Sequence, residues 1–237
     1  MPEHADDKAA PFFIGIDLAW SPANPSGIVV LDEYARLIEY RYTGNPDAIF
    51  ELTARYPDAV IGVDAPLIIT NAAGHRPNER AFLKTFARYG LGLHAANTTL
   101  FAKRFPRYTG FDLYKRLKTA GFDFKNGNLF EVYPHATVLA LFNNGRVLRY
   151  KASVPRTDRI TALKRLQTAL FEAVTVPNEY HAAIETLKGK RLKAEEDFLD
   201  SLVCAYTLWH CAKNSCYRFG DGDNNGLLIT PRPPSYP

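Results

Sequence analysis

No stretch of this chain approaches the roughly 20 consecutive apolar residues that a membrane-spanning helix requires. Its opening residues, MPEHADDKAAPFF, have neither the basic start and apolar middle of a signal peptide nor the arginine-rich pattern of a transit peptide. Residues 1–11 therefore read as a disordered lead, and 12–237 as one domain with helical insertions. Cysteine is scarce. Cys204, Cys211 and Cys216 are all there are in 237 residues. Three cannot make an even disulfide framework, and two lie on an apolar helical run, so reduced thiols and a cytoplasmic location are expected. Their spacings are not those of a zinc site. There is no internal repeat and no low-complexity tract.

Hydrophobic residues make up 46% of the chain, a globular composition. The net charge of +4 is mild but unevenly spread. RVLRYKASVPRTDRITALKRL (146–166) is dense in Arg and Lys with a single Asp, and LKGKRLK (187–193) is basic too. Such a stripe suits a polyanion such as nucleic acid, the alternative being a solvated helix face.

Apolar patterning predicts a strand over 12–20, a second over 27–33 and a third over 35–44, joined as an antiparallel meander. A helix follows over 46–56, with Asn45 as its cap and Pro46 in its first turn. A fourth strand spans 58–67 and a fifth 128–134, with helical segments between them through about residue 120. Further helices are expected at 135–142, 157–173, 177–188 and 191–213. A terminal hairpin carries DGDNNG (221–226) in its turn. That stretch matches half of a calcium loop, but Arg232 stands where the closing Glu is required. The expected fold is α/β: a mixed five-stranded sheet, its first three strands antiparallel, flanked by helices, plus a C-terminal hairpin.

The acids interrupt this pattern. Asp17 ends the apolar run FFIGI and Asp64 ends AVIGV, each at the same end of its strand. If those strands are neighbours, the two side chains meet. In EEDFLDSLVCAYTLWH (195–210), Asp197 and Asp200 sit three apart inside an apolar helix. Burying an unpaired carboxylate costs several kcal/mol or forces it to take up a proton. Ser201, Cys204 and Thr207 lie near the same face and are small enough to let the helix approach a sheet edge. Taken singly, Asp17 is as readily a turn residue, and Asp197 a solvated first-turn acid. Taken together, clustered carboxylates call for a cation between them, and oxygen-only clusters suit Mg²⁺ or Mn²⁺. Two such ions about 4 Å apart are a common device for phosphoryl transfer.

The stretches GIDLAWSP (15–22), IGVDAPL (61–67), EVYPHAT (131–137), LRYK (148–151) and EDFLDSLVCAY (196–206) resemble the domain-of-unknown-function 429 family. That family is described as a predicted ribonuclease H-like nuclease. The closing D-x-x-D helix looks like that of RuvC-type resolvases. The resemblance implies a ribonuclease H-like fold and divalent-metal-dependent cleavage of phosphodiester bonds in DNA or RNA. In that reading Asp17 bridges the ions, Asp64, Asp197 and Asp200 complete their shells, and no further general base is needed. Where the resolvases commonly have Glu, this chain has Asp64. Glu131, from the EVYP motif, is a further ligand or orients a basic residue. His75, Arg76, Arg80, Lys151 and Arg156 are the candidates for phosphate contact, each with a plain surface charge as the alternative. His135 is either catalytic or structural. A homodimer is left open.

The alternatives are a non-catalytic nucleic-acid- or protein-binding module on the same scaffold, or an ATP-using enzyme. Against the latter, Leu18-Ala19-Trp20-Ser21-Pro22 stands after Asp17 in place of a Gly-rich phosphate loop.

Overall fold

The structure is a computed structural model that describes residues 11–222 and 224–235. Residues 1–10 of the expected lead, and Asp223 of the DGDNNG stretch, lie outside the described residues. Three antiparallel strands open the fold: β1 (Phe13–Asp17), β2 (Ser26–Leu31) and β3 (Leu37–Thr43). The turn between β2 and β3 is held by Asp32, whose Oδ1 accepts from the amides of Tyr34 at 3.0 Å and Arg36 at 2.9 Å. That bonding supports Ala35 at φ 57°. Helix α1 (Pro46–Thr53) starts as expected, with the Asn45 side chain accepting from Asp47 N at 3.0 Å and Pro46 in the first turn.

Strand β4 (Val60–Val63) then pairs parallel with β1, and β5 (Leu129–Val132) pairs parallel with β4. Between them run α2 (Pro77–Phe86), α3 (Thr98–Arg104) and α4 (Thr109–Thr119). After β5, α5 (Pro134–Thr137) leads into a π-helical turn over Val138–Phe142. Two long helices follow, α6 (Arg156–Ala173) and α7 (Gly189–Lys213). The chain ends in a hairpin, β6 (Cys216–Phe219) and β7 (Leu228–Pro231).

Four expectations are corrected. The sheet has seven strands, not five, in the order β3-β2-β1-β4-β5-β7-β6. The terminal hairpin is not an appendage, because β7 lies parallel to β5 and covers the backbone edge that β5 would otherwise expose. No α-helix spans 177–188. Two 3₁₀ turns stand there, Asn178–Tyr180 and Ile184–Thr186, of which only Ile184 is buried. Without an apolar face to pack, the segment lacks what stabilises a short helix. Finally, Cys211 is bonded to Cys216 across the turn from α7 to β6, and Cys204 is free and buried. Two of the three cysteines are therefore not the reduced thiols expected. No helix among the described residues is long and apolar enough to cross a membrane.

The strands alternate between two cores. Ile14, Ile16, Ile28, Val30, Ile61 and Val63 face a layer that includes Leu52 and Leu117. Phe13, Val29, Leu31 and Val132 face α6 and α7, where Leu163, Leu199, Leu202 and Val203 fill the space. Helix α7 lies across the face of the sheet rather than at an edge. Its path is cut by three glycines: Gly27 lies under Asp197 and Ser201, Gly15 under Ser201 and Ala205, and Gly62 under Leu208. The helix therefore crosses from β2 over β1 to β4, close against the backbone.

Candidate functional site

Strand alternation decides where the first two acids point. Asp17 has the parity of Phe13 and Gly15, which face α7. Asp64 has the parity of Gly62, which faces Leu208 of α7. Ile16 is paired with Val63, and Asp64 N donates to Ile16 O at 2.8 Å. The two aspartates thus leave adjacent parallel strands at one end, on the side where α7 passes. The glycine crossings bring the N-terminal half of that helix over the same end, with Asp197 and Asp200 buried on it.

The acids of α7 are each held by a phenol and an ammonium. Tyr42 OH donates to Asp197 Oδ2 at 3.1 Å, and Lys193 Nζ contacts Asp197 Oδ1. Tyr150 OH donates to Asp200 Oδ1 at 2.8 Å, and Lys151 Nζ contacts Asp200 Oδ2. Glu196 joins the two lysines, 3.0 Å from Lys193 Nζ and 3.4 Å from Lys151 Nζ, and pairs with Arg159 at 2.7 Å. The puzzle of two carboxylates inside an apolar helix is answered here: both are hydrogen-bonded and charge-paired.

Asp17 and Asp64 have no such partners. Neither carboxylate accepts a hydrogen bond from the described residues. Desolvation, then the negative charge of Asp200, holds the Asp17 carboxyl well above the ordinary carboxylate range, with Asp64 and Asp197 adding to it and Lys151 opposing. Desolvation likewise lifts Asp64 to about 7, opposed by Lys151 and reinforced by Asp200. Desolvation would lower Lys151, but Asp200, Asp17, Glu196 and Asp64 together hold it well above the ordinary lysine value. His135, whose ring lies 4.6 Å from that of Tyr150, is lowered to about 4 by desolvation and by Lys151.

Beside Asp17 opens a cleft of about 460 Å³. Asn24, Tyr42, Lys190, Lys193 and Asp197 are among its lining residues. Lys190 forms no ion pair among the described residues.

The remaining candidates lie elsewhere. Glu131 turns both oxygens to Arg76, at 2.9 and 2.8 Å, and accepts from Leu67 N at 2.7 Å. Arg76 also pairs with Glu79 at 2.8 Å and donates to the carbonyls of Ile68 and Asn225. With Arg76 only 2% exposed, the phosphate contact expected of it is not open in this arrangement. The ligand role expected of Glu131 is likewise displaced by its pairing with this guanidinium. Together they tie the loop after Asp64 to the β6–β7 turn. Arg80 and Arg156 are exposed, and donate to the carbonyls of His75 and Leu187. His75 itself meets the Leu93 carbonyl at 3.0 Å. Of the DGDNNG stretch, the described residues lie between β6 and β7, with Gly222 N bonded to Gly226 O. Of the basic candidates, Lys151 alone joins the acids.

Sequence reasoning passed over Tyr42, Tyr150, Lys193 and Glu196. The spacing of Lys193 to Glu196 and Asp197, three and four residues along one helix face, was the available signal.

A family model described as "Protein of unknown function (DUF429)" matches residues 15–225. The chain belongs to this family. The DUF429 match contains all four aspartates together with Glu131, Lys151 and Lys193. No curated protein and no solved structure matches the chain.

The donor set suits a hard divalent cation in kind: all oxygen, with two carboxylates short of positive partners. As the side chains stand, no three His, Cys, Asp or Glu among the described residues surround one metal-sized point. Asp200 and Asp197 are instead ion-paired to Lys151 and Lys193.

Proposed function

We propose that this chain is a divalent-metal-dependent enzyme of ribonuclease H-like fold that cleaves phosphodiester bonds in nucleic acid. The observation that carries the reading is the placement of Asp17 and Asp64 at one end of two adjacent parallel strands, without an ion-pair partner among the described residues and with Asp197 and Asp200 of α7 over the same end. The antiparallel opening strands, the β1–β4 pairing and the closing D-x-x-D helix across them support the fold assignment. Asp17 and Asp64 would hold Mg²⁺ or Mn²⁺, with Asp200 and Asp197 beside them. The bound ion supplies an activated water and charge for the departing oxygen. Tyr150 and Tyr42 keep the α7 carboxylates oriented. Lys190, at the cleft beside Asp17, offers a cation to a phosphodiester backbone.

The test is cleavage of labelled oligonucleotides with Mn²⁺, alongside Mn²⁺ calorimetry, in the wild type and in Asp17→Asn. Loss of both cleavage and binding in the variant is expected. Cleavage that survives Asp17→Asn at full rate removes the proposal.

A second reading, a non-catalytic binding module on the same scaffold, is favoured by one observation. Asp197 and Asp200 already have lysine partners, so half of the acid set is neutral without any ion. A protein that binds oligonucleotides but stays silent towards Mn²⁺ selects that reading.

A further inference from the structure

Lys151 reaches both halves of the acid set and, among the described residues, is the cation that contacts Asp200. Its Nζ contacts Asp200 and lies 3.4 Å from Glu196. It is also close enough to Asp17 and Asp64 to act on both electrostatically. Lys193 also acts on Asp17 and Asp64 electrostatically, but its ion pairs are with Glu196 and Asp197 of its own helix and not with Asp200. The side chain of Lys151 is 33% exposed. It rises from a stretch outside any helix or strand, between the π-helical turn and α6. A flexible four-carbon stem on such a segment lets the ammonium leave without disturbing the sheet.

The absence of metal-ligand convergence among the described residues now has a cause. Asp200, the most deeply buried acid, is turned to Lys151 and Tyr150. Without that ammonium the neighbouring carboxylates would repel one another across a poorly solvated space.

We propose that Lys151 is a built-in counter-cation that stabilises the metal-free protein, and that a divalent ion binds by displacing its ammonium from Asp200. The idea rests on the metal-dependent reading above and adds a competitor to it. Metal affinity is then set partly by the departure of Lys151, and the freed ammonium is delivered to the mouth of the site.

The experiment is Mn²⁺ calorimetry and thermal melting on the wild type, Lys151→Met, Lys151→Arg and Lys190→Met. Lys151→Met should melt lower than the wild type in chelator. It should bind Mn²⁺ at least about tenfold tighter, because a positive charge within contact distance of the ligands is gone. Its melting temperature should rise more on adding Mn²⁺. Lys151→Arg, which keeps the charge, should gain nothing. Lys190→Met removes a charge from the cleft without touching the acids, and should change affinity far less. A parallel measurement uses the wild type alone, in case Lys151→Met does not fold. Acetylation of Lys151 by acetic anhydride, read by mass spectrometry, should rise when Mn²⁺ is added.

Wild type that binds Mn²⁺ while Lys151→Met binds no tighter overturns the competitor and leaves the metal reading standing. Equal gains in Lys151→Met and Lys190→Met also overturn it, as does Lys151 acetylation that is unchanged or lower with Mn²⁺ bound. If neither wild type nor Lys151→Met takes up Mn²⁺, both the metal reading and the competitor fall.

Discussion

Gly15 of β1 lies directly beneath Ser201 of α7: a Cβ at Gly15 would come within 2.1 Å of the Ser201 carbonyl oxygen and 2.3 Å of Ala205 N. Both atoms are helix backbone, so neither can swing aside. Gly15→Ala must push the whole helix off the sheet, and a cost of about 3 kcal/mol is expected in urea unfolding, at the upper end of overpacking effects. Because α7 carries Asp197 and Asp200, the displacement should also impair any function of the acid cluster in molecules that remain folded. Gly27→Ala, with Asp197 O at 2.8 Å, should act in the same direction more weakly.

Asp17→Asn should stabilise the metal-free protein. The wild-type carboxylate is desolvated and crowded by Asp200, Asp64 and Asp197. A neutral amide of the same shape removes that repulsion. In chelator at neutral pH the melting temperature should rise by about 2–4 °C for each kcal/mol relieved. A fall in melting temperature would show that Asp17 is neutralised by a partner.

Arg76 is expected to act as structure, not as a phosphate contact. Arg76→Ala leaves Glu131 and Glu79 buried without their cation and should cost about 3–5 kcal/mol in chemical unfolding. The double variant Arg76→Met with Glu131→Met should be less destabilised than either single variant, since no lone charge remains. Oligonucleotide affinity per folded molecule should not change in the double variant. A drop there would return Arg76 to the list of substrate contacts.

His135 gives a pH dependence with a definite sign. Its pKa in the folded protein is about 4, against an ordinary 6.5. A depressed value means that the folded state excludes a proton the unfolded chain takes up. Its contribution to stability is therefore complete above about pH 6.5 and is lost as pH falls towards 4, at up to about 1.4 kcal/mol per pH unit. Urea midpoints measured between pH 7 and 4 should decline less steeply in His135→Gln than in the wild type.

Much of this was legible from pattern. Asp17 closing FFIGI and Asp64 closing AVIGV mark strand ends, because an acid ends a run that needs both faces apolar. The small residues Ser201 and Cys204 foretold a close helix–sheet crossing, although it lies over the face of the sheet. What pattern cannot carry is the pairing of distant groups. Tyr42 meets Asp197, and Tyr150 and Lys151 meet Asp200, through contacts that depend on how α7 lies on the sheet. Charge alone marked Arg76 as a surface residue; its enclosure by Glu79, Glu131 and the carbonyls of Ile68 and Asn225 buries it. The β5–β7 pairing escaped notice for a similar reason, since a four-residue strand has no signature of its partner.

That pairing bears on how the chain reaches its native state. Glu131 waits for Leu228, and Val132 for Ile229, while Arg76 waits for the Asn225 carbonyl. During synthesis the inner strands emerge first and keep an open flank until the last hairpin leaves the ribosome. Non-local closure of this kind slows folding and leaves the partly made sheet prone to capture by other chains. Shortening the C-terminus by even that hairpin should therefore be felt first as poor soluble yield.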